Sequence, residues 1–290
     1  MIYHKPVLLQ EIIEFLDPKP DDLFIDATVG GGGHAIELVK NHAKVLGIDR
    51  DPEAIDYIRK QFGKDLILVQ GNFSDIGRIA REKGFEKVNG ILFDLGVSSH
   101  QLEKAERGFS FLAEGPLDMR MDPNLVPTAY DLVNNLDQRR LNEILKTYGQ
   151  EKFSWTIARA IVSARQIKPI ETTTELAGII KEVYRKRTKS SKLNPATKTF
   201  QSLRIVVNSE LLNLESCLPQ TPDLLKIGGR LAAVSFHSLE DRIVKRFFKS
   251  RSELKVLTQK PIGPQSWEIE KNPRSRSAKL RVAERVREYN

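Results

Sequence analysis

The stretch Leu23–His34, LFIDATVGGGGH, decides the fold. The apolar residues Leu23, Phe24 and Ile25 lead into Asp26, then come Gly30, Gly31, Gly32 and Gly33, and after His34 a helical pattern starts with Ala35, Ile36, Leu38 and Val39. That order reads as buried strand, glycine turn and helix start. Glycine lets the turn take left-handed angles and lets a ligand approach without meeting Cβ atoms. The helix start offers unpaired amides and partial positive charge to an anionic group. A second apolar run, Val45–Ile48, ends in Asp49, 19 positions after Gly30. An acid there, at the tip of the next strand, can accept from the two hydroxyls of a ribose. Together they describe a nucleoside-cofactor site. The spacing Gly30-x-Gly32-x-x-Ala35 also satisfies the loose dinucleotide fingerprint, so NAD remains an alternative at this point.

Outward from that centre, the pattern alternates strand and helix. A short helix over 5–16 stops at Pro18 and Pro20; strand 1 covers 23–28 and strand 2 covers 44–49. Pro52 suits the first turn of a helix that runs to Phe62 and is closed by Gly63. Strand 3 is Leu66–Phe73, a helix covers 75–83, and strand 4 is Val88–Gly96. Four such alternations predict an α/β fold with a doubly wound, mostly parallel sheet and ligands beyond the carboxyl ends of its strands. Asp26, Asp49, Phe73 and Asp94 fall at those ends.

The alternation stops at residues 98–127, where RGFSF and GPLDMRMD sit among glycines and prolines. A long irregular segment of this kind is usually functional. From 130 to 217 the periodicity is helical: Asp137 caps one helix, Thr172 and Glu175 form a capping box on another, and a single helix is expected from Ala196 to Cys217 with Phe200, Leu203, Val207, Leu211 and Leu214 on one stripe. These features predict a helical insertion at 105–200 inside a sheet domain of 1–104 plus 201–290. Ser190 and Ser191 suggest a mobile loop in a strongly basic run. The alternation resumes with strand 5, RLAAVSF, then a helix capped by Ser238 and Asp241, then two final antiparallel β segments joined by a loop containing Arg274 and Arg276. Ser235, His237 and Asp241 lack the Gly-x-Ser-x-Gly elbow of a hydrolase, which argues against a catalytic triad.

Composition sets further bounds. The chain has 290 residues, 40% apolar and 29% charged, enough for a substantial core. It has no apolar run long enough to span a bilayer. The N-terminus does not read as a secretory signal. The single cysteine, Cys217, falls in an apolar helical register, and a reducing, cytoplasmic location is expected. No metal-ligand cluster stands out. The net charge of +8 is uneven: residues 1–104 sum to −4 and residues 242–290 to +9. That asymmetry points to a polyanionic partner, nucleic acid first.

The motifs TVGGGGH, GIDRDP, ILFDLGVSS, ERGFSF, GPLDMRMD, TFQSLRIVVNSEL and SFHSLEDRIVK, in this order across nearly the whole chain, resemble the RsmH/MraW family. The resemblance implies a class I methyltransferase, Rossmann-like, with an inserted helical subdomain that recognises RNA. It implies S-adenosyl-L-methionine as cofactor and the N4 amine of a cytidine in the decoding region of bacterial 16S rRNA, within the small ribosomal subunit, as target. Carried over by position, the cofactor contacts are Gly32, Gly33, His34, Asp49, Phe73, Asp94 and Gln101. Asp94 is also the candidate catalytic residue, facing either the methionine ammonium or the target amine. Family members lack the aromatic clamp that many amino-group methyltransferases carry after strand 4, and this chain has Leu95-Gly96-Val97 there, so Phe109 and Phe111 are the expected partners of the base. Phosphate contacts are expected from Lys198, Arg204, Arg242, Lys245, Arg246, Arg274 and Arg276. The rival readings are a non-catalytic RNA-binding assembly factor and an NAD-dependent oxidoreductase.

Overall fold

A strand covered by helices on both sides must be apolar on both faces, and alternate residues here do divide between two cores. Ile25, Leu46, Ile48, Ile91, Phe93, Leu231 and Ala233 fill one. Their neighbours Phe24, Val45, Leu92, Ala232 and Val234 fill the other. The computed structural model describes residues 6–62, 66–188 and 194–287. The expected helix stop at Gly63 and the loop serines Ser190 and Ser191 lie outside the described residues.

The chain divides into two compact units, one of Met1–Ser98 with Leu211–Asn290 and one of Ser99–Glu210; the second is wider than the expected 105–200. The first unit begins with α1 (Leu9–Leu16), β1 (Leu23–Asp26), α2 (Gly33–Lys40), β2 (Lys44–Asp49) and α3 (Pro52–Phe62). It continues with β3 (Ile67–Gln70), α4 (Ile76–Glu82) and β4 (Val88–Asp94). The second unit holds α5 (Ser99–Glu103), α6 (Ala129–Asn135), α7 (Gln138–Thr147), α8 (Ser154–Arg165), α9 (Thr173–Arg187) and α10 (Thr197–Val207). The chain returns through α11 (Glu210–Cys217) and α12 (Thr221–Leu224) to β5 (Leu225–Ser235), then α13 (Ser238–Ser250), β6 (Leu254–Val256), α14 (Ser266–Lys271) and β7 (Lys279–Arg285).

The seven strands are ordered β3-β2-β1-β4-β5-β7-β6. β1 lies parallel to both β2 and β4, so the winding reverses beside β1, the position at which open α/β sheets bind their ligands. Among the described residues, only β7 runs against the rest. It pairs antiparallel with β5 and with β6, which leaves β6 parallel to the main sheet. The two final β segments pair antiparallel with each other as expected, and of the two it is β7 that is reversed against the main sheet.

Two further corrections concern helix ends. The single helix expected over 196–217 is two helices, because Ser209 adopts φ +50° and the buried Asn208 turns its amide onto the chain. Asn208 accepts from Met121 N–H at 2.8 Å and donates to the carbonyls of Met119 (2.7 Å) and Arg204 (3.0 Å). The cap of α13 is His237 with Glu240, one residue before the expected Ser238 and Asp241, because the backbone stays extended through His237 (φ −142°, ψ 164°). Capping by Asp137 and the Thr172–Glu175 box form as read.

Candidate functional site

The carboxyl edge of the sheet is built from a turn fastened to both neighbours of β1. Ala27 donates to Leu92 O and Val29 to Ile48 O, both at 2.9 Å. Gly30 (φ +50°) then aims its N–H at the Asp49 carboxylate, 2.8 Å away. Gly32 (φ +81°) caps α2, and a Cβ there would come within 3.0 Å of Ile36 Cδ1, so both angle and space call for glycine. The first amides of α2, at Gly33 and His34, precede its first intrahelical hydrogen bond, the arrangement by which a helix start holds an anion.

Asp49 accepts from two amides, Gly30 through Oδ2 and Asp51 through Oδ1 (2.9 Å). Each oxygen keeps lone-pair capacity for a ribose hydroxyl. Burial raises its carboxyl above the usual range, opposed by those two amides. Asp26 is fully buried at the tip of β1, and burial first, with its neighbours Asp94 and Asp49 adding, pushes its pKa up to about 8. The edge therefore presents Asp49 and Asp94 on either side of a neutral acid at Asp26. Asp94 donates its amide to Thr28 Oγ1 at 2.6 Å, and one carboxylate oxygen lies 3.7 Å from His34 Nδ1. His34 Nε2 lies 3.0 Å from the Val7 carbonyl, an acceptor only, so that nitrogen carries the proton. Phe73 stands past β3 in a short 3-10 turn capped by Asn72, edge-on to Phe93 at 5.8 Å, with the Arg50 guanidinium 5.9 Å from its ring centre.

Gly32, Gly33, His34, Asp49, Phe73 and Asp94 thus belong to one edge of the first unit. Gln101, buried on α5, belongs to the second unit. Thr28 and Arg50 gave no sign in the sequence: neither occupies a spacing that distinguishes it from any turn residue.

The expected RNA contacts divide in the same way. Phe109 is only 6% exposed, beneath the Arg107 guanidinium, so the expectation that it stacks on a base is corrected. Phe111 is half-buried, edge-on to Phe200 at 5.1 Å. Arg204 is corrected too, since its guanidinium grips Glu210 through two bonds of 2.8 and 2.9 Å with both side chains largely buried. Lys198 is half-buried and donates to Gln150 O. Arg242, Lys245 and Arg246 are exposed on α13, as are Arg274 and Arg276 in the 3-10 segment Pro273–Ser277. No triad forms, since Asp241 pairs with Arg281 (2.6 Å) and Lys279. Cys217 is buried, which raises its thiol pKa and fits the core role read for it.

A seven-stranded sheet with one reversed strand, a glycine turn after β1 and an acid at the tip of β2 define a class I, S-adenosylmethionine-dependent methyltransferase. The family model of the MraW methylases matches residues 1–286. Ribosomal RNA small subunit methyltransferase H of Persephonella marina is 48% identical over 99% of this chain and 100% of its own length. The protein of the same name from Sulfurihydrogenibium sp. is 47% identical over 99% and 100%. The solved structure of an rRNA methylase from Streptococcus thermophilus is 11% identical with a TM-score of 0.45, covering 98% of each chain. The chain belongs to the MraW methylase family. Among the described residues, no helix is long and apolar enough to cross a membrane.

Proposed function

We propose that this protein transfers a methyl group from S-adenosylmethionine to the N4 amine of a cytidine in the decoding region of 16S rRNA. The observation that carries the reading is the strand-tip edge, with the glycine turn, Asp49 and Asp94 together beyond β1, β2 and β4. The full-length relatives named as small-subunit rRNA methyltransferases support the RNA class. The residues fit the cofactor. The α2 amides would take its carboxylate, Asp49 would accept from its ribose hydroxyls, and Phe73 would offer a ring face to its adenine. When bound, the cofactor supplies a methyl group on a cationic sulfur, an electrophile.

The chain's own part is positioning and charge. A reacting nitrogen must stand in line and about 3–3.5 Å from the methyl carbon. The N4 lone pair of cytosine is delocalised into the ring. A hydrogen bond from that amino group to the Asp94 carboxylate would raise electron density on nitrogen and hold the proton that the amine must give up to solvent once its bond to carbon replaces the carbon–sulfur bond. The Thr28 hydroxyl fixes the Asp94 backbone, and His34, anchored to Val7, sets a second polar group beside the carboxylate. The target base must leave its stack to enter.

The test is transfer of labelled methyl to small-subunit particles, followed by nucleoside analysis. N4-methylcytidine is expected. Label on another nucleoside, or none, contradicts the proposal. Asp94 has two prospective partners, the cofactor ammonium and the target amine. Asp94→Asn that lowers kcat at saturating cofactor assigns it to the amine, and one that weakens only cofactor binding assigns it to the ammonium.

A further inference from the structure

The strongest unused charge feature lies on α13. Arg242, Lys245, Arg246 and Lys249 stand at i, i+3, i+4 and i+7, which places them on one stripe. All four are exposed and, with Ser250, line a shallow depression of about 570 Å³. The opposite face is pinned, with Val244 and Phe248 buried in the sheet core.

Several cations on other helices are neutralised along their own turns. Arg78 pairs with Asp75 and Glu82, Arg185 with Glu182, and Arg139 with Glu143. Among the described residues, no acid lies within ion-pairing distance of the four on α13. The acids in its first turn are engaged elsewhere: Glu240 accepts from the Phe236 and His237 amides, and Asp241 holds Arg281 and Lys279. Like charges four apart, Arg242 with Arg246 and Lys245 with Lys249, repel and weaken a helix. An anionic partner removes that repulsion.

We infer that this stripe is a track for the sugar–phosphate backbone of an RNA strand, an inference that rests on RNA as the substrate. From 242 to 249 the helix rises about 10 Å, the length of about three nucleotides of a helical strand. The apolar face of α13 is occupied by the core, so the helix has nothing to insert into a lipid surface and offers charge alone, which suits a phosphate backbone.

The test compares wild type with the variant carrying Arg242→Gln, Lys245→Gln, Arg246→Gln and Lys249→Gln. The probe is a 16S rRNA fragment containing the decoding region, titrated over a range of KCl concentrations. Four lost contacts at about 0.7 each lower the slope of log K against log salt by roughly 3. Removing exposed, mutually repelling charges leaves the melting temperature no lower and S-adenosylmethionine affinity unchanged, which shows that the variant is folded. The charge-keeping pair Arg242→Lys and Arg246→Lys retains the slope, and so does Arg78→Gln, whose cation is already paired. An unchanged slope in the fourfold variant overturns the track. Binding of wild type to phosphatidylglycerol vesicles, lost in the fourfold variant while RNA binding is not, reassigns the stripe to a lipid surface and also overturns it. If wild type methylates no small-subunit RNA, the functional reading fails by itself, whatever the slopes show.

Discussion

At the scale of single residues, burial raises two neighbouring acids that play different parts. Asp26 is sealed in the sheet with a pKa of about 8, while Asp49 spends its carboxylate on two amides and faces the ligand edge. An unfolded aspartate titrates near 3.9. Between that pH and about 8 the folded chain keeps a proton on Asp26 that the unfolded chain has released, so this residue's contribution to stability falls as pH rises through the window. Asp26→Asn has no such proton. In urea denaturation its stability relative to wild type is expected to improve steadily from pH 5 to pH 8, and a constant difference contradicts the assignment. Asp49→Ala removes the ribose acceptor and should weaken S-adenosylmethionine binding ten- to a hundredfold, the effect of losing hydrogen bonds to a charged group, about 1.5–3 kcal/mol. Isothermal titration measures it. The identity of these acids was legible because strand tips are read from apolar runs. The protonation of Asp26 was not, since it depends on a burial that only the folded sheet creates.

At the scale of elements, strand order and caps followed from local pattern, and the breaks did not. The stripe Phe200, Leu203, Val207, Leu211, Leu214 continues in register across α10 and α11, so periodicity alone runs them together. The break depends on Asn208 finding Met119 and Met121, nearly ninety positions away in sequence. Asn208→Ala leaves those buried backbone groups unpaired at about 1–3 kcal/mol each, and a clear fall in melting temperature is expected from calorimetry. An unchanged melting temperature would show that the break needs no side chain. Arg204 teaches the same lesson about charge. It belongs to a basic run in sequence, yet it forms a largely buried pair with Glu210. Arg204→Gln should therefore cost about 3–5 kcal/mol of stability and leave the salt dependence of RNA binding unaltered. A lowered slope in a fully folded variant would return it to the RNA footprint.

At the scale of the whole molecule, the chain divides its chemistry between an acidic cofactor half and basic late segments, and this asymmetry was plain in the distribution of charge. Which cations stay available was not, because pairing within helices and with distant acids is set by the fold. The same limit applied to Phe109, whose loop composition suggests exposure and whose ring is buried. The placement of the glycine turn beside Asp49 was more legible. A glycine turn and an acid 19 positions on are local features, and the sheet had only to bring β2 beside β1.

The central claim is that the tips of β1, β2 and β4 hold the adenosyl cofactor. The most direct measurement is a crystal structure of the protein with S-adenosylhomocysteine. The account predicts the ribose hydroxyls on Asp49 and the amino-acid carboxylate at the start of α2 beside Gly32 and Gly33. A ligand bound away from Asp49 and the glycine turn would contradict it.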